Sequence, residues 1–278
     1  MMMNCTSFNS VVEKIKNQKK KLFVVFFAVC GAIIAFILFF HTRVFTSNEL
    51  IIHVTSDMHA GSKKTRDYSD ERPGNIVYPK EWKEYYTKFL NKPGDVYITL
   101  GDNIQTDSEK DTKKYPLIRA LDEKYAQGKI VLHVVGNHDN RDKFELLSPQ
   151  KYQAVDTGNW RIIIVNTEEN PAGGGGISET QFAWIREQVA TEKNVLIGMH
   201  RPLFSEEDLT LPTNDYSLKL LEIVKAHPNI KYVLFGHYHV LHNEVRTFPE
   251  YNDTKFIYVQ AMTLKGFKGN FLTLKLEK

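Results

Sequence analysis

Short apolar runs rich in valine and isoleucine recur along this 278-residue chain, and they limit the folds that it can adopt. Six of them predict buried strands, at Leu50–Val54, Val96–Leu100, Ile130–Val135, Arg161–Asn166, Val195–Met199 and Tyr232–Phe235. Stretches with helical spacing lie between them, at Lys80–Asn91, Tyr115–Gln127, Ser178–Ala190 and Ser217–Ala226. The third begins with a capping box, Ser178-x-x-Gln181. Alternation of strand and helix predicts an α/β fold.

The pattern changes after Phe235, where strand-like runs follow one another at Val240–Thr247, Lys255–Gln260 and Phe271–Leu276. Turn residues separate these runs, which predicts antiparallel strands at the C-terminal end. Residues 61–78 are charged and rich in turn formers, and we expect a long loop there after the first strand.

Residues 22–40 form a stretch of nineteen uncharged, almost wholly apolar residues. A helix of this length spans roughly 28 Å, close to the hydrocarbon thickness of a bilayer, so we predict one transmembrane helix. Five lysines lie in a basic tail, residues 1–21, and Arg43 follows the span. The positive-inside rule therefore predicts a cytosolic N-terminus and places residues 44–278 on the far side, in a periplasmic, extracellular or lumenal space.

A cleaved signal peptide is the alternative interpretation of this segment, and it would make the protein soluble and secreted. The segment is longer than the apolar region of most signal peptides. Residues 41–45 also contain no small-x-small cleavage site. Both features favour an uncleaved signal anchor.

The formal net charge of +3 arises in the N-terminal part of the chain. Residues 1–21 carry +4 and Arg43 adds one more, whereas residues 44–278 carry a balance of −2. A slightly acidic domain has no general electrostatic attraction for nucleic acid, so we expect no nucleic acid as a partner.

Acidic residues, histidines and an asparagine follow the predicted strands at the point where each strand ends. In chain order these clusters are Asp57-Met58-His59, Gly101-Asp102-Asn103, Gly136-Asn137-His138-Asp139, Met199-His200-Arg201 and Gly236-His237-Tyr238-His239. The crevice at the carboxyl ends of the strands is the usual ligand site of open α/β sheets, so the clusters are expected to meet. Carboxylates, imidazoles and an amide suit Zn, Mn or Fe. If two ions lay about 3.5–4 Å apart, Asp102 would be the natural carboxylate bridge.

This ordered set of motifs resembles the calcineurin-like metallophosphoesterase superfamily, and the resemblance extends from Asp57 to His239. It implies a domain over residues 44–278 built as a β-sandwich flanked by helices, in α/β/β/α layers. It also implies two divalent or trivalent metal ions. Its expected ligands are Asp57, His59, Asp102 and His239 for the first ion, and Asp102, Asn137, His200 and His237 for the second.

The activity implied by the resemblance is hydrolysis of a phosphate monoester or diester, by in-line attack of a metal-bound hydroxide. His138 matches the family histidine that contacts phosphate or protonates the leaving group, and Asp139 would orient its imidazole through a hydrogen bond. The expected substrate is a phosphorylated small molecule, a nucleotide or a lipid-linked compound.

Two further residues are candidate substrate contacts. Asn103 follows the bridging aspartate and could donate a hydrogen bond to phosphate. Arg201 follows His200 directly and could bind phosphate through two parallel hydrogen bonds, although a buried salt bridge would explain it equally well.

The chain departs from two branches of the superfamily. Gln105 stands where purple acid phosphatases have a tyrosine, and residues 103–106 lack the arginine and acidic residues of protein serine/threonine phosphatases. The broad class of small phosphodiesterases and phosphatases remains. The alternative from another class is a metal-binding scaffold of the same fold without turnover.

Overall fold

The computed structural model describes residues 48–61, 81–106, 108–170, 174–205, 208, 210–240, 242–263 and 269–278, together with residues 29 and 31. By its internal contacts the chain divides into two units, Met1–Asn48 and Glu49–Lys278, and the elements below belong to the second. The predicted transmembrane helix, residues 22–40, lies outside the described residues apart from Val29 and Gly31. Among the residues that are described, no helix has both the length and the apolar character of a membrane span.

The described part of the chain folds into strands and helices with the following bounds. The strands are β1 (Glu49–Thr55), β2 (Val96–Thr99), β3 (Ile130–His133), β4 (Gln153–Thr157), β5 (Trp160–Ile164), β6 (Asn194–Met199), β7 (Ile230–Phe235), β8 (Glu244–Arg246), β9 (Lys255–Tyr258) and β10 (Leu272–Glu277). The α-helices are α1 (Trp82–Leu90), α2 (Glu109–Thr112), α3 (Tyr115–Tyr125), α4 (Glu179–Val189) and α5 (Asp215–Ala226). Short 3₁₀ turns occupy Phe144–Leu146 and Pro249–Tyr251.

The strands form two sheets, each with a parallel centre. The first sheet has the order β10-β1-β2-β3, in which β1, β2 and β3 are parallel and β10 is antiparallel to β1. The second has the order β4-β5-β6-β7-β9-β8, in which β5, β6, β7 and β9 are parallel. Its edge strands β4 and β8 are antiparallel to their neighbours.

Three apolar cores separate four layers. Ile98 of β2 and Ile162 of β5 lie in the core between the two sheets. Their neighbours face the other way, since Tyr97 packs on Phe89 of α1 and Ile163 belongs to the core beneath α4 and α5. This alternation follows from the two-residue period of a strand, and it gives the helix–sheet–sheet–helix layers that the resemblance implied.

The N-terminus of α4 shows how local sequence sets the start of a helix. The Ser178 side chain accepts a hydrogen bond from the backbone N–H of Gln181, as the capping box predicts. The Gln181 side chain does not return to Ser178. It pairs instead with both backbone groups of Asn166, which ties the start of α4 to the loop after β5.

The predicted strands and helices of the alternating segment are all confirmed, with small differences at their ends. Strand β4 was not predicted, because this edge strand is half-buried and has no apolar run. The prediction for the C-terminal strands is wrong in part. Only β8 and β9 pair antiparallel to each other, whereas β9 is parallel to β7 and β10 joins the other sheet beside β1.

Candidate metal centre

The loops after β1, β2, β3, β6 and β7 are joined to one another where these strands end. The joining hydrogen bonds run from His59 N to Asp102 O (2.8 Å), from His138 N to Asp102 Oδ1 (2.8 Å), from His200 Nδ1 to Leu100 O (2.7 Å) and from His237 N to Asp57 Oδ2 (3.0 Å). The third and fourth bonds connect the two sheets. The five polar clusters therefore meet at one site, as the sequence predicts.

Asp57, His59, Asp102 and His239 form a first group, whose four potential ligand atoms all lie within 4.8 Å of one another. His59 Nε2 lies 3.1 Å from His239 Nε2 and 3.7 Å from Asp102 Oδ2. Asp57 Oδ1 lies 3.3 Å from His239 Nε2. These residues are buried except His239, whose side chain is 16% exposed.

The hydrogen bonding of this group fits a bound cation. Asp57 Oδ1 and His59 Nδ1 are buried without a hydrogen-bond partner, and such atoms are costly unless something satisfies them. Burial and the neighbouring His239 hold the pKa of His59 well below its usual range, so this imidazole stays neutral. Carboxylate and imidazole lone pairs then face one another. Manganese, zinc or iron would satisfy this donor set.

Asp102, Asn137, His200 and His237 form a second group around the same aspartate. His200 Nε2 lies 2.9 Å from Asn137 Oδ1 and 3.4 Å from Asp102 Oδ1, and the His237 ring packs edge-on against His200 at 5.0 Å. Because His200 Nδ1 donates to a backbone carbonyl, Nε2 of a neutral ring would carry a lone pair facing the Asn137 and Asp102 oxygens, an arrangement that a cation would satisfy. The other Asp102 oxygen faces the first group. Asp102 is thus placed between the two groups.

Five of the seven candidate ligand residues occupy an unusual backbone conformation. Asp57, His59, Asp102, His237 and His239 all have positive φ, between 47° and 73°. Few residues other than glycine adopt this left-handed region, and each such residue stores strain. The strain is concentrated where the strands end and the side chains turn inward.

Close backbone packing beside Asp102 explains one of the motif glycines. A Cβ atom at Gly136 would lie 2.1 Å from the backbone nitrogen of Asp102 and 2.2 Å from its Oδ1. Any side chain there would push the loops after β2 and β3 apart. The glycine therefore permits the approach that places Asn137 and His138 beside Asp102.

His138 lies at the open side of the centre. Its side chain is 24% exposed, and its Nε2 lies 3.9 Å from Asp102 Oδ2. Its Nδ1 lies 2.8 Å from the carbonyl oxygen of Gln105, so Nδ1 must carry a proton and donate it to that bond. This bond fixes the ring with Nε2 turned towards the ligand groups.

Asp139 does not make the contact with the His138 imidazole that the sequence led us to expect. Its buried carboxylate accepts hydrogen bonds from the backbone N–H groups of Asn103, Ile104 and Gly136, and from the Tyr115 hydroxyl. Burial, together with the charge of Asp102, raises the pKa of Asp139 to about 6, and the hydrogen bonds oppose this rise. Asp139 therefore joins two loops, and the Gln105 carbonyl orients His138.

The two candidate substrate contacts are engaged within the protein. The Asn103 side chain is fully buried, accepts from Thr99 Oγ1 and donates to the Val134 carbonyl and to Asp139. A buried amide with these partners does not face a substrate, so its contacts do not support the expectation.

Arg201 forms the salt bridge that was the alternative to a phosphate contact. Its Nε and Nη2 atoms lie 2.8 and 3.1 Å from the two carboxylate oxygens of Glu168. Arg141 Nη1 donates to the backbone carbonyl of Glu168 at 3.0 Å. Sequence reasoning missed Glu168, Arg141 and Gln105. An acidic residue in a loop suggests solvent exposure, and a backbone carbonyl leaves no sequence signal.

Comparisons with known proteins agree with this arrangement. The family model for calcineurin-like phosphoesterases matches residues 50–241. The chain is 27% identical over 114 residues to a probable cyclic nucleotide phosphodiesterase of a Synechococcus strain, covering 37% of this chain and 43% of that protein. It is 29% identical over 112 residues to a 3′,5′-cyclic-nucleotide phosphodiesterase of a Nostoc strain, covering 37% and 42%. The matched segment thus spans less than half the length of these relatives.

A solved structure has the same fold. The crystal structure of a dimetal phosphatase from Danio rerio superposes with a TM-score of 0.64 at 15% identity, over 82% of this chain and 93% of that one.

Proposed function

We propose, from the premise that the chain belongs to the calcineurin-like phosphoesterase family, that it hydrolyses a phosphate ester of a nucleotide or a similar small molecule at a centre of two metal ions. The observation that carries the proposal is the position of Asp102. One of its oxygens lies 3.7 Å from His59 Nε2 in the first ligand group, and the other lies 3.4 Å from His200 Nε2 in the second. Such an aspartate suits two ions that share a carboxylate.

The ions, when bound, would supply activation of a water molecule and neutralisation of charge on the phosphate oxygens. The Asp57, His59 and His239 side chains would hold the first ion, and Asn137, His200 and His237 the second. The bond between His200 Nδ1 and the Leu100 carbonyl fixes the tautomer that leaves Nε2 free to ligate. Asp102 would help to hold both ions.

His138 would act as the general acid. Its Nδ1–H is held by the Gln105 carbonyl, so a second proton, on Nε2, would point into the open side of the centre. The oxygen of water bonds to phosphorus and the bond between phosphorus and the alcohol oxygen breaks. The proton from Nε2 passes to this departing alcohol oxygen. A histidine suits this step because it exchanges protons near neutral pH.

The relatives support a nucleotide as the substrate class. Both relatives are named as cyclic nucleotide phosphodiesterases, and the segment similar to this chain covers only part of the length of each. A phosphodiester is therefore our first choice of substrate and a phosphomonoester the second.

The test is an assay of the full chain, purified in detergent, stripped with a chelator and then restored with manganese, zinc or iron. The substrates are 3′,5′-cyclic AMP, bis(p-nitrophenyl) phosphate and p-nitrophenyl phosphate. We expect about two ions per chain and hydrolysis that depends on them. Hydrolysis without metal would refute the proposal. Tight metal binding with no turnover of any ester between about pH 5 and about pH 9 would favour the scaffold instead.

We also propose that residues 22–40 anchor the protein in a membrane, with residues 44–278 on the side away from the cytosol. The support is the nineteen-residue uncharged stretch and the lysines that precede it. The test is alkaline extraction of membranes from cells that express the full chain, followed by protease digestion of sealed vesicles. A product that is released at alkaline pH and lacks the N-terminal segment would indicate a cleaved, secreted form.

A further inference from the structure

A cavity of about 320 Å³ lies beside Asn137. Its walls come from six residues after β3, namely Gly136, Asn137 and 139–142, from Glu168 after β5 and from Arg201 after β6. The volume is at the lower end of the range for ligand pockets, so it suits one small chemical group. Because Asn137 also belongs to the second ligand group, a phosphate held at the centre would have this cavity next to it.

The walls of the cavity are polar. Apart from Gly136, every residue that the structure describes along them has a polar or charged side chain. A nucleobase or an acyl chain would find no aromatic or aliphatic partner among these residues. Groups that exchange hydrogen bonds are favoured.

The charges of the cavity disfavour a second anion. Two arginines, Arg141 and Arg201, line the cavity together with three acidic residues, Asp139, Asp142 and Glu168. A second phosphate would meet as much repulsion as attraction. A hydroxyl group, in contrast, accepts from a guanidinium and donates to a carboxylate, so a polyhydroxylated alcohol fits both.

The arginine side of the cavity is held rigidly. Glu168 is 1% exposed, and its carboxylate accepts two hydrogen bonds from the Arg201 guanidinium group. Its backbone carbonyl accepts a third hydrogen bond, from Arg141. A Cβ atom at Gly175, where φ is +102°, would lie 2.5 Å from Arg201 Cδ. Because glycine has no side chain, the Arg201 side chain can occupy this position. Preorganised groups of this kind give specificity at little entropic cost.

Among the described residues, Asn137 lines the cavity and His138, the proposed proton donor, does not. In-line displacement places the leaving alcohol beside the proton donor. We infer that the cavity binds the alcohol that stays esterified to phosphate, and that this alcohol bears hydroxyl groups, as ribose and glycerol do. The inference rests on the proposed function and makes the preferred substrate a phosphodiester.

The experiment keeps the leaving group constant and varies only the retained alcohol. Four esters release p-nitrophenolate: a nucleoside 5′-(p-nitrophenyl phosphate), p-nitrophenyl phosphoglycerol, p-nitrophenyl phenyl phosphate and the monoester p-nitrophenyl phosphate. We expect the metal-loaded full chain to show kcat/KM for the ribosyl or glyceryl ester about tenfold above that for the phenyl ester, as two hydrogen bonds allow. A preference for the ribosyl ester indicates nucleotides, and one for the glyceryl ester indicates lipid headgroups.

Variants connect the preference with the cavity. Arg141→Ala and Glu168→Gln are expected to lower the ratio of kcat/KM for the hydroxyl-bearing ester over the phenyl ester about tenfold. Arg119→Ala is the matched control, because this exposed arginine lies on α3 and its ion-pair partner among the described residues is Glu123 on the same helix. A binding measurement supplements the kinetics: saturation-transfer NMR on the chelator-treated full chain should show ribose 5-phosphate contacts that Arg141→Ala removes.

Equal constants for the ribosyl, glyceryl and phenyl esters in the wild type would overturn the inference, and so would a preference that survives Arg141→Ala. Both outcomes leave the proposed function intact, since turnover continues. Absence of turnover for all four esters would refute the proposed function. In that case the NMR contacts of ribose 5-phosphate, and their loss in Arg141→Ala, still decide whether the cavity binds the alcohol.

Discussion

Replacement of Asp139 by asparagine is expected to loosen the loops that carry the candidate metal ligands, although the two side chains have the same shape. Carboxylate Oδ1 accepts from the backbone N–H groups of Asn103 and Ile104 and from the Tyr115 hydroxyl, at 3.1 to 3.2 Å. Oδ2 accepts from the Gly136 N–H and the Asn103 side chain, both at 2.9 Å. An asparagine offers one acceptor oxygen, so its NH₂ group would face at least two of these donors.

The magnitude follows from the number of donors left without an acceptor. Each buried unsatisfied donor costs about 1–3 kcal/mol, so two of them cost about 2–6 kcal/mol. Part of this is offset because the variant no longer buries a carboxylate, whose pKa burial raises to about 6. We expect the Asp139→Asn variant to lose about 2–4 kcal/mol of unfolding free energy. Metal affinity should fall as well, since Asn103 adjoins Asp102 and Gly136 adjoins Asn137.

The assay is urea unfolding of the chelator-treated full chain, followed by titration of the folded protein with manganese. Glu145→Gln is the control, because this exposed carboxylate undergoes the same chemical change away from the hydrogen-bond network. A change below about 0.5 kcal/mol with unaltered manganese affinity would refute the assignment of Asp139 as the residue that joins the two loops.

Three further outcomes are expected. His138→Ala should keep most bound metal and lose about 10²- to 10⁴-fold in turnover of esters with poor leaving groups. Asp102→Asn should instead lose metal. Equal metal loss in the two variants, measured by elemental analysis, would contradict these roles. Burial lowers the pKa of His239, but the Asp57 and Asp102 carboxylates together outweigh burial and raise this pKa above its usual value. Below this raised pKa a proton competes with the metal ion for the His239 nitrogen. Equilibrium dialysis at about pH 8 and about pH 5 should therefore show metal release at the lower pH, and an unchanged metal content would disprove the competition. Asn252-Asp253-Thr254 is an N-glycosylation sequon. It should stay unmodified in a secretory host, because the Asn252 side-chain amide donates to the last carbonyls of α5; a glycosidase-sensitive mass shift would show otherwise.

The central strands and the meeting of the polar clusters at one site were predictable from the sequence for a shared physical reason. A strand buried on both faces must be apolar along its length, so Val96–Thr99 and Asn194–Met199 stand out as runs. Polar residues at the ends of such runs stand out equally. His200 and Asp102 could therefore be paired before their distance was known.

Other features depend on partners that a single sequence does not reveal. The orientation of His138 depends on the backbone carbonyl of Gln105, and every residue has a backbone carbonyl. The pairing of Arg201 with Glu168 joins residues 33 positions apart. The parallel pairing of β9 with β7 likewise depends on which apolar surface a strand covers, since short turns alone suggest antiparallel neighbours.

The positive φ angles of five of the seven candidate ligand residues restrict how this candidate centre could change its metal preference. Aspartate, asparagine and histidine are the residues other than glycine that most often adopt this conformation, and all three are among the candidate metal ligands. An exchange such as Asp57→Glu or His239→Cys would keep a ligating atom but place a residue that tolerates this conformation less well, at a position where any non-glycine residue already costs about 1–3 kcal/mol. Metal preference is therefore more easily retuned, in evolution or by engineering, through the residues around the ligands than through the ligands themselves.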